Sequence, residues 1–168
     1  MKTKDLIYCA LFAALTAIGA FLQIPTGTVP ITLQFLFTAL AGLLLGWKWG
    51  AISQLLYVGI GLLGLPVFTQ GGGIGYVLQP SFGFLLGLIP AAAVIGAMTA
   101  RRTGYLTVLA AVLVGDLILY AVGVPYMYLI LHVYMQSAKT FPALLAAMLV
   151  YVPGDTLKIV VVTALAPV

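Results

Sequence analysis

The chain has 168 residues, 64% of them hydrophobic and 6% charged, with 7 basic and 3 acidic side chains, a net charge of +4 and a mean hydropathy of +1.23. No soluble domain can cover its surface with so few polar groups, so residues 1–168 are read as a single integral membrane domain with lipid around it. Lys2, Lys4, Lys48, Arg101, Arg102, Lys139 and Lys158 are scattered and mostly flank apolar runs, which suits topology signals and excludes a nucleic-acid partner.

After "MKTKD" the chain is apolar to Gln23 with no convincing small-residue cleavage site, so the first span, Asp5 to Ile24, is read as a retained helix and not a signal peptide. Within it "YCALFAALTAIGA" sets Ala10 with Ala14, and Ala13 with Ala17, at small-xxx-small spacing. Such a strip lets another helix approach closely, whether a neighbour in the bundle or a partner protein. The single cysteine, Cys9, excludes a disulfide framework or a cysteine metal cluster within the chain. The second and third spans, Ile31 to Leu45 and Trp49 to Leu65, flank "GWKWG", where Trp47 and Trp49 bracket Lys48 as interfacial aromatics.

The fourth span, Ser81 to Ala100, follows a loop containing "GGGIGY". That glycine run lacks the strand and helix of a phosphate cradle and is read as a capping loop. The chain contains no G-x-x-x-x-G-K-[ST], so any ATPase must reside on another chain. The fifth span, Leu106 to Val124, holds Asp116, an isolated acid read as neutral or satisfied by a neighbouring helix more readily than as a proton relay. Beyond it "GVPYMYLILHVYMQSAKTFP" is taken as an external loop. Its His132 has no metal-ligand companion, and Tyr126, Tyr128 and Tyr134 form an aromatic belt. The sixth span runs from Phe141 to Ala166.

The expected fold is therefore all-α, a compact bundle of about six membrane helices of about 20 residues each. A β-barrel would alternate polar and apolar residues, whereas "LLYVGIGLLGLPVF" is apolar on every face. With the N-terminus in the cytoplasm, Lys2, Lys4, Lys48, Arg101 and Arg102 all fall at cytoplasmic ends, so both termini of this cell-membrane protein are placed inside. The external segments "QIPTGTVPITLQ", "GLPVFTQGGGIGYVLQPSFG" and "GVPYMYLILHVYMQSAKTFP" are longer and irregular. Irregular backbone at a membrane must pack on protein or line a cavity, so these loops are expected to cap a pocket. Their Thr, Gln and Tyr side chains suit an uncharged or weakly charged ring system.

Asp155 and Lys158 in "PGDTLK" share a helix face at i and i+3. Each costs at least about 2.5 kcal/mol at mid-membrane, which leaves two readings: an internal ion pair that fixes packing, or a ligand-binding pair. The capping loops converge where Pro153 and Gly154 start the helix, which favours the second. An intramembrane enzyme would need a nucleophile and base or a metal set, and Asp116, Asp155 and His132 form neither at recognisable spacing.

"VPITLQ", "LAGLLLGWKWGA", "LLYVGIGLLGLPVF", "PSFGFLLG" and above all "PGDTLK", in this order along nearly the whole chain, resemble the BioY family, the biotin-binding S components of energy-coupling-factor vitamin transporters. The resemblance implies a six-helix protein, not an enzyme, that binds biotin from outside with no cofactor. It implies as partners a transmembrane coupling subunit and a pair of cytoplasmic ATPases, against which the S component tilts; similar Ala-xxx-Ala strips favour docking through Ala10, Ala13, Ala14 and Ala17. By the same resemblance Asp155 and Lys158 contribute to the biotin site, with Tyr76, Gln79, Phe82 and Gly83 from the third loop and fourth helix, and Gln34 as a further polar group. The ureido N–H groups would go to Asp155 and its carbonyl to Lys158, or Lys158 would take the valerate carboxylate instead. Where relatives read P-T-x-G-Y, this chain has Pro80-Ser81-Phe82-Gly83-Phe84, losing a Thr methyl and a Tyr hydroxyl. An S component for a different vitamin is the alternative.

Overall fold

A computed structural model describes residues 3–101 and 104–166; Lys2 and Arg102, two of the basic residues used to orient the chain, lie outside them. Runs that are apolar on every face become helices because lipid offers backbone N–H and C=O groups no other partner. The helices are α1 (Thr3–Phe21), α2 (Gln34–Leu62), α3 (Phe82–Thr99), α4 (Tyr105–Leu129), α5 (Phe141–Ala147) and α6 (Val152–Leu165). A π-helical turn, Ile130–Tyr134, continues α4, and a 3-10 segment, Met148–Tyr151, joins α5 to α6. As continuous stretches, five are long and apolar enough to cross a membrane among the described residues: Thr3–Phe21, Gln34–Leu62, Phe82–Thr99, Tyr105–Tyr134 and Phe141–Leu165.

Helix α2 is broken at Gly46, whose φ of 77° and ψ of 178° lie outside helical space, in a region glycine enters at little steric cost. The arms on either side run back along each other. Gln34 Nε2 donates to Tyr57 Oη at 2.8 Å and Thr38 Oγ1 to Gln54 Oε1 at 2.9 Å. Nearer the break, a Cβ on Gly50 would come within 2.9 Å of Gly42 Cα. Gln54 also reaches Thr16 of α1 at 3.3 Å, so buried polar side chains knit α1 to both arms; in lipid each such bond is worth about 0.6 kcal/mol. Outward from this hairpin, α1 and α3 pack on α2, α4 packs on α3, and α6 closes against α4 and α2.

Two expectations change. The fifth helix does not stop at Val124 but runs through Pro125 to Leu129 and on into the π turn, because a membrane helix tolerates a missing N–H where neighbouring segments and local π adjustment re-satisfy the backbone. Much of the segment expected as a third external loop is therefore helix. In the first loop, β1 (Gln23–Ile24) and β2 (Ile31–Thr32) form a short antiparallel ladder, Gln23 opposite Thr32. The irregular segments meet at one end of the bundle, where Gln23 Nε2 donates to Thr69 O at 3.3 Å, Tyr126 Oη to Val77 O at 2.5 Å, and Thr26 Oγ1 lies 3.0 Å from Tyr151 Oη.

Candidate functional site

Where those segments meet, a partly open cavity lies between the first loop, the start of α2, α3, α4 and the start of α6. Its wall is mostly apolar and aromatic, including Val29, Phe35, Phe84, Leu85, Leu88 and Leu119, with polar groups from Thr32, Gln34, Tyr76, Ser81, Tyr120, Asp155 and Lys158. This combination, an apolar slot with a few fixed polar groups, is the usual makeup of a small-molecule site.

Asp155 lies in the first turn of α6, begun by Val152 with Pro153 next. Proline is tolerated there because the first N–H groups of a helix have no intrahelical acceptor. One turn on, Lys158 brings its Nζ to 2.5 Å from Asp155 Oδ1, and both residues are buried. The pair is not isolated: Tyr120 of α4 donates to Asp155 Oδ2, and Lys158 Nζ donates to the Thr32 carbonyl at 3.3 Å. Both carboxylate oxygens thus have a donor, which offsets the desolvation that makes an unpaired buried charge prohibitive. The lysine ammonium carries three N–H groups, two of them used here.

Four of the expected binding residues meet at this cavity: Asp155, Lys158, Gln34 and Tyr76. The protein itself holds Gln34, which accepts from Thr32 Oγ1 at 2.9 Å and donates to Tyr57. Tyr76 Oη pairs with Thr69 Oγ1 at 2.9 Å. Gln79 is exposed and does not line the cavity. Phe82 is buried behind the wall, 6.4 Å from the Tyr76 ring and 5.8 Å from the Tyr126 ring. Gly83 faces α4, where a Cβ would come within 2.4 Å of Tyr126 Cβ, so it allows close helix packing and does not touch the hollow. The cavity is lined instead by their neighbours Ser81, Phe84 and Leu85.

Sequence reasoning missed Tyr120, Thr32, Ser81 and Phe84. Ser81 and Phe84 are the two positions where the motif departs from its relatives' pattern, and the 81, 84, 85, 88 spacing of one helix face was a usable signal. Tyr120, four residues after Asp116 in "VGDLILY", was another. Asp116 lies in α4 beside an outer groove between α4 and α5–α6, and its Oδ1 is buried without a hydrogen-bond partner. His132 stacks on Tyr128 at 5.3 Å, and no group of three metal-ligating side chains occurs among the described residues.

The alanine strip of α1 divides between two faces. Ala10 and Ala14 are exposed, as are Ile7, Leu11 and Ile18, whereas Ala13 is buried in the core and Ala17 is half-buried against it. Ala13 shares the inward face with Phe12, Thr16, Gly19 and Ala20, so it serves packing within the bundle and is not available to a partner.

The model of the family described as the BioY family matches residues 1–168. The chain is 55% identical over 142 residues to the "Probable biotin transporter BioY" of Lysinibacillus sphaericus, covering 83% of this chain and 72% of that protein. It is 35% identical over 164 residues to the "Biotin transporter BioY" of Thermotoga maritima, covering 97% and 94%. Among solved structures it is similar to an S-component for biotin from an ECF-type ABC transporter, with a TM-score of 0.85 and 30% identity over 99% of this chain and 92% of that one.

Proposed function

The chain belongs to the BioY family, and we propose that it is the biotin-binding membrane subunit of an uptake transporter, taking biotin from outside the cell and delivering it inward with an energy-coupling module on other chains. It is a transporter subunit and not an enzyme. The observation that carries this is the Asp155–Lys158 pair on the wall of an apolar and aromatic cavity. Along its edge a cyclic urea presents an N–H beside a C=O, and the pair presents an acceptor beside a donor. Phe84, Leu85 and Leu88 give the bicyclic ring and its thioether an apolar seat.

In this proposal each arm of α2 crosses the membrane, so the chain passes through it about six times. Lys4, Lys48 and Arg101 fall at cytoplasmic ends, both termini are inside, and the loops over the cavity are outside. The exposed face of α1 with Ala10 and Ala14 is the contact for the transmembrane coupling subunit, which carries the cytoplasmic ATPases. Biotin is cargo, and no cofactor is assigned.

The test is equilibrium titration of the purified chain with biotin and with other small vitamins. Tight, sodium-independent biotin binding is expected. A response to another vitamin with none to biotin would make this an S component of different specificity.

A further inference from the structure

We infer that three adjacent groups, the Asp155 carboxylate, the Lys158 ammonium and the backbone carbonyl of Thr32, together bind the cyclic urea, so that both of its N–H groups are hydrogen-bonded. This rests on the biotin reading above and adds to it a recognition element from the first loop. Lys158 Nζ contacts Asp155 Oδ1 at 2.5 Å and Thr32 O at 3.3 Å, and all three residues line the cavity. The wall therefore offers an acceptor, a donor and an acceptor in succession, the complement of N–H, C=O and N–H around a cyclic urea.

The donor and acceptor count closes. Lysine has a third N–H for the ligand carbonyl. Each Asp155 oxygen has accepted one bond, from Lys158 or Tyr120, and retains capacity for another. The Thr32 carbonyl belongs to β2, which has no further strand beside it among the described residues, and its peptide unit is anchored on the bundle, where Leu33 N–H donates to Gly19 O of α1 at 3.1 Å. Tyr151 ties that loop to the start of α6 by donating to Val29 O, holding Thr32 in register with Lys158. A cyclic guanidine would place a donor where the urea has its carbonyl, against the lysine.

The experiment compares biotin with its two cyclic carbamate analogues, each having oxygen in place of one N–H, on the purified full chain. If biotin itself does not bind, the proposed function fails. If it binds, each carbamate is expected to bind about 10- to 100-fold more weakly, the loss of one hydrogen bond that leaves an acceptor unpaired. In Asp155→Asn one of the two penalties shrinks and the other persists. A penalty at only one nitrogen, or two penalties that shrink together, overturns the inference. As a readout independent of that variant, threonine labelled with 13C at its carbonyl should give an infrared band that shifts when biotin binds. The shift should vanish in Thr32→Ser, which keeps the backbone but drops the label; a shift that remains, or none in the parent chain, overturns it as well.

Discussion

Asp155 is held from both sides, by Lys158 on Oδ1 and by Tyr120 on Oδ2, so its carboxylate has a fixed orientation on the cavity wall. Asp155→Asn keeps the shape but removes the charge opposite Lys158. Biotin affinity is expected to fall about 10- to 100-fold, the worth of a charge-assisted bond, in a chain that still elutes as a single folded species; unchanged titration curves would make the pair architectural. Tyr120→Phe keeps the ring that meets Phe84 edge-on at 5.9 Å and removes only the donor. A loss of about 5- to 10-fold is expected in the same titration, on the order of 1 kcal/mol. Asp155 and Lys158 were legible in the sequence because charge is costly in lipid and therefore conspicuous. Tyr120 was not, since a tyrosine in an apolar helix looks the same whether it sits at an interface or inside a site.

Among the elements, the packing of α2 on α3 depends on close backbone approach. A Cβ at Gly42 would meet Ala92 O at 2.6 Å, a backbone atom that cannot step aside, whereas one at Gly59 would meet nothing within 4 Å. Gly42→Val should therefore destabilise the folded bundle by about 1–3 kcal/mol, seen as a lower thermal unfolding midpoint in detergent, while Gly59→Ala should leave the midpoint close to its starting value. The spans on either side of Gly46 were legible from the hydropathy break, but the pairing of Gln34 with Tyr57 and Thr38 with Gln54 across them was not. In α3 the motif pointed to the right turn of helix and to the wrong side of it: Phe82 and Gly83 pack away from the cavity, and Ser81 and Phe84 line it.

For the whole molecule, the exposed face of α1 and the cavity occupy separate surfaces, since the wall of the cavity contains no residue of α1. Ligand binding and partner docking should then be separable by mutation. Ala14→Trp, on the exposed face, is expected to leave biotin titration unchanged in the isolated chain while reducing co-purification with the coupling subunit and uptake in cells. Ala13→Trp, at a position 5% exposed, should instead lower the unfolding midpoint and with it everything downstream. Equal effects of the two substitutions on stability would mean that the outward face of α1 is not free for a partner.

By itself the sequence determined the solvent, the helical class and the two conspicuous charges, Asp155 and Lys158, that the proposed recognition uses, because hydropathy and the cost of charge in lipid are local properties of each segment. Only the tertiary structure decided which polar groups share one cavity. Tyr120 and Thr32 meet Asp155 and Lys158 from α4 and the first loop, and that meeting is fixed by helix rotation and loop closure, which depend on packing between segments far apart in the chain.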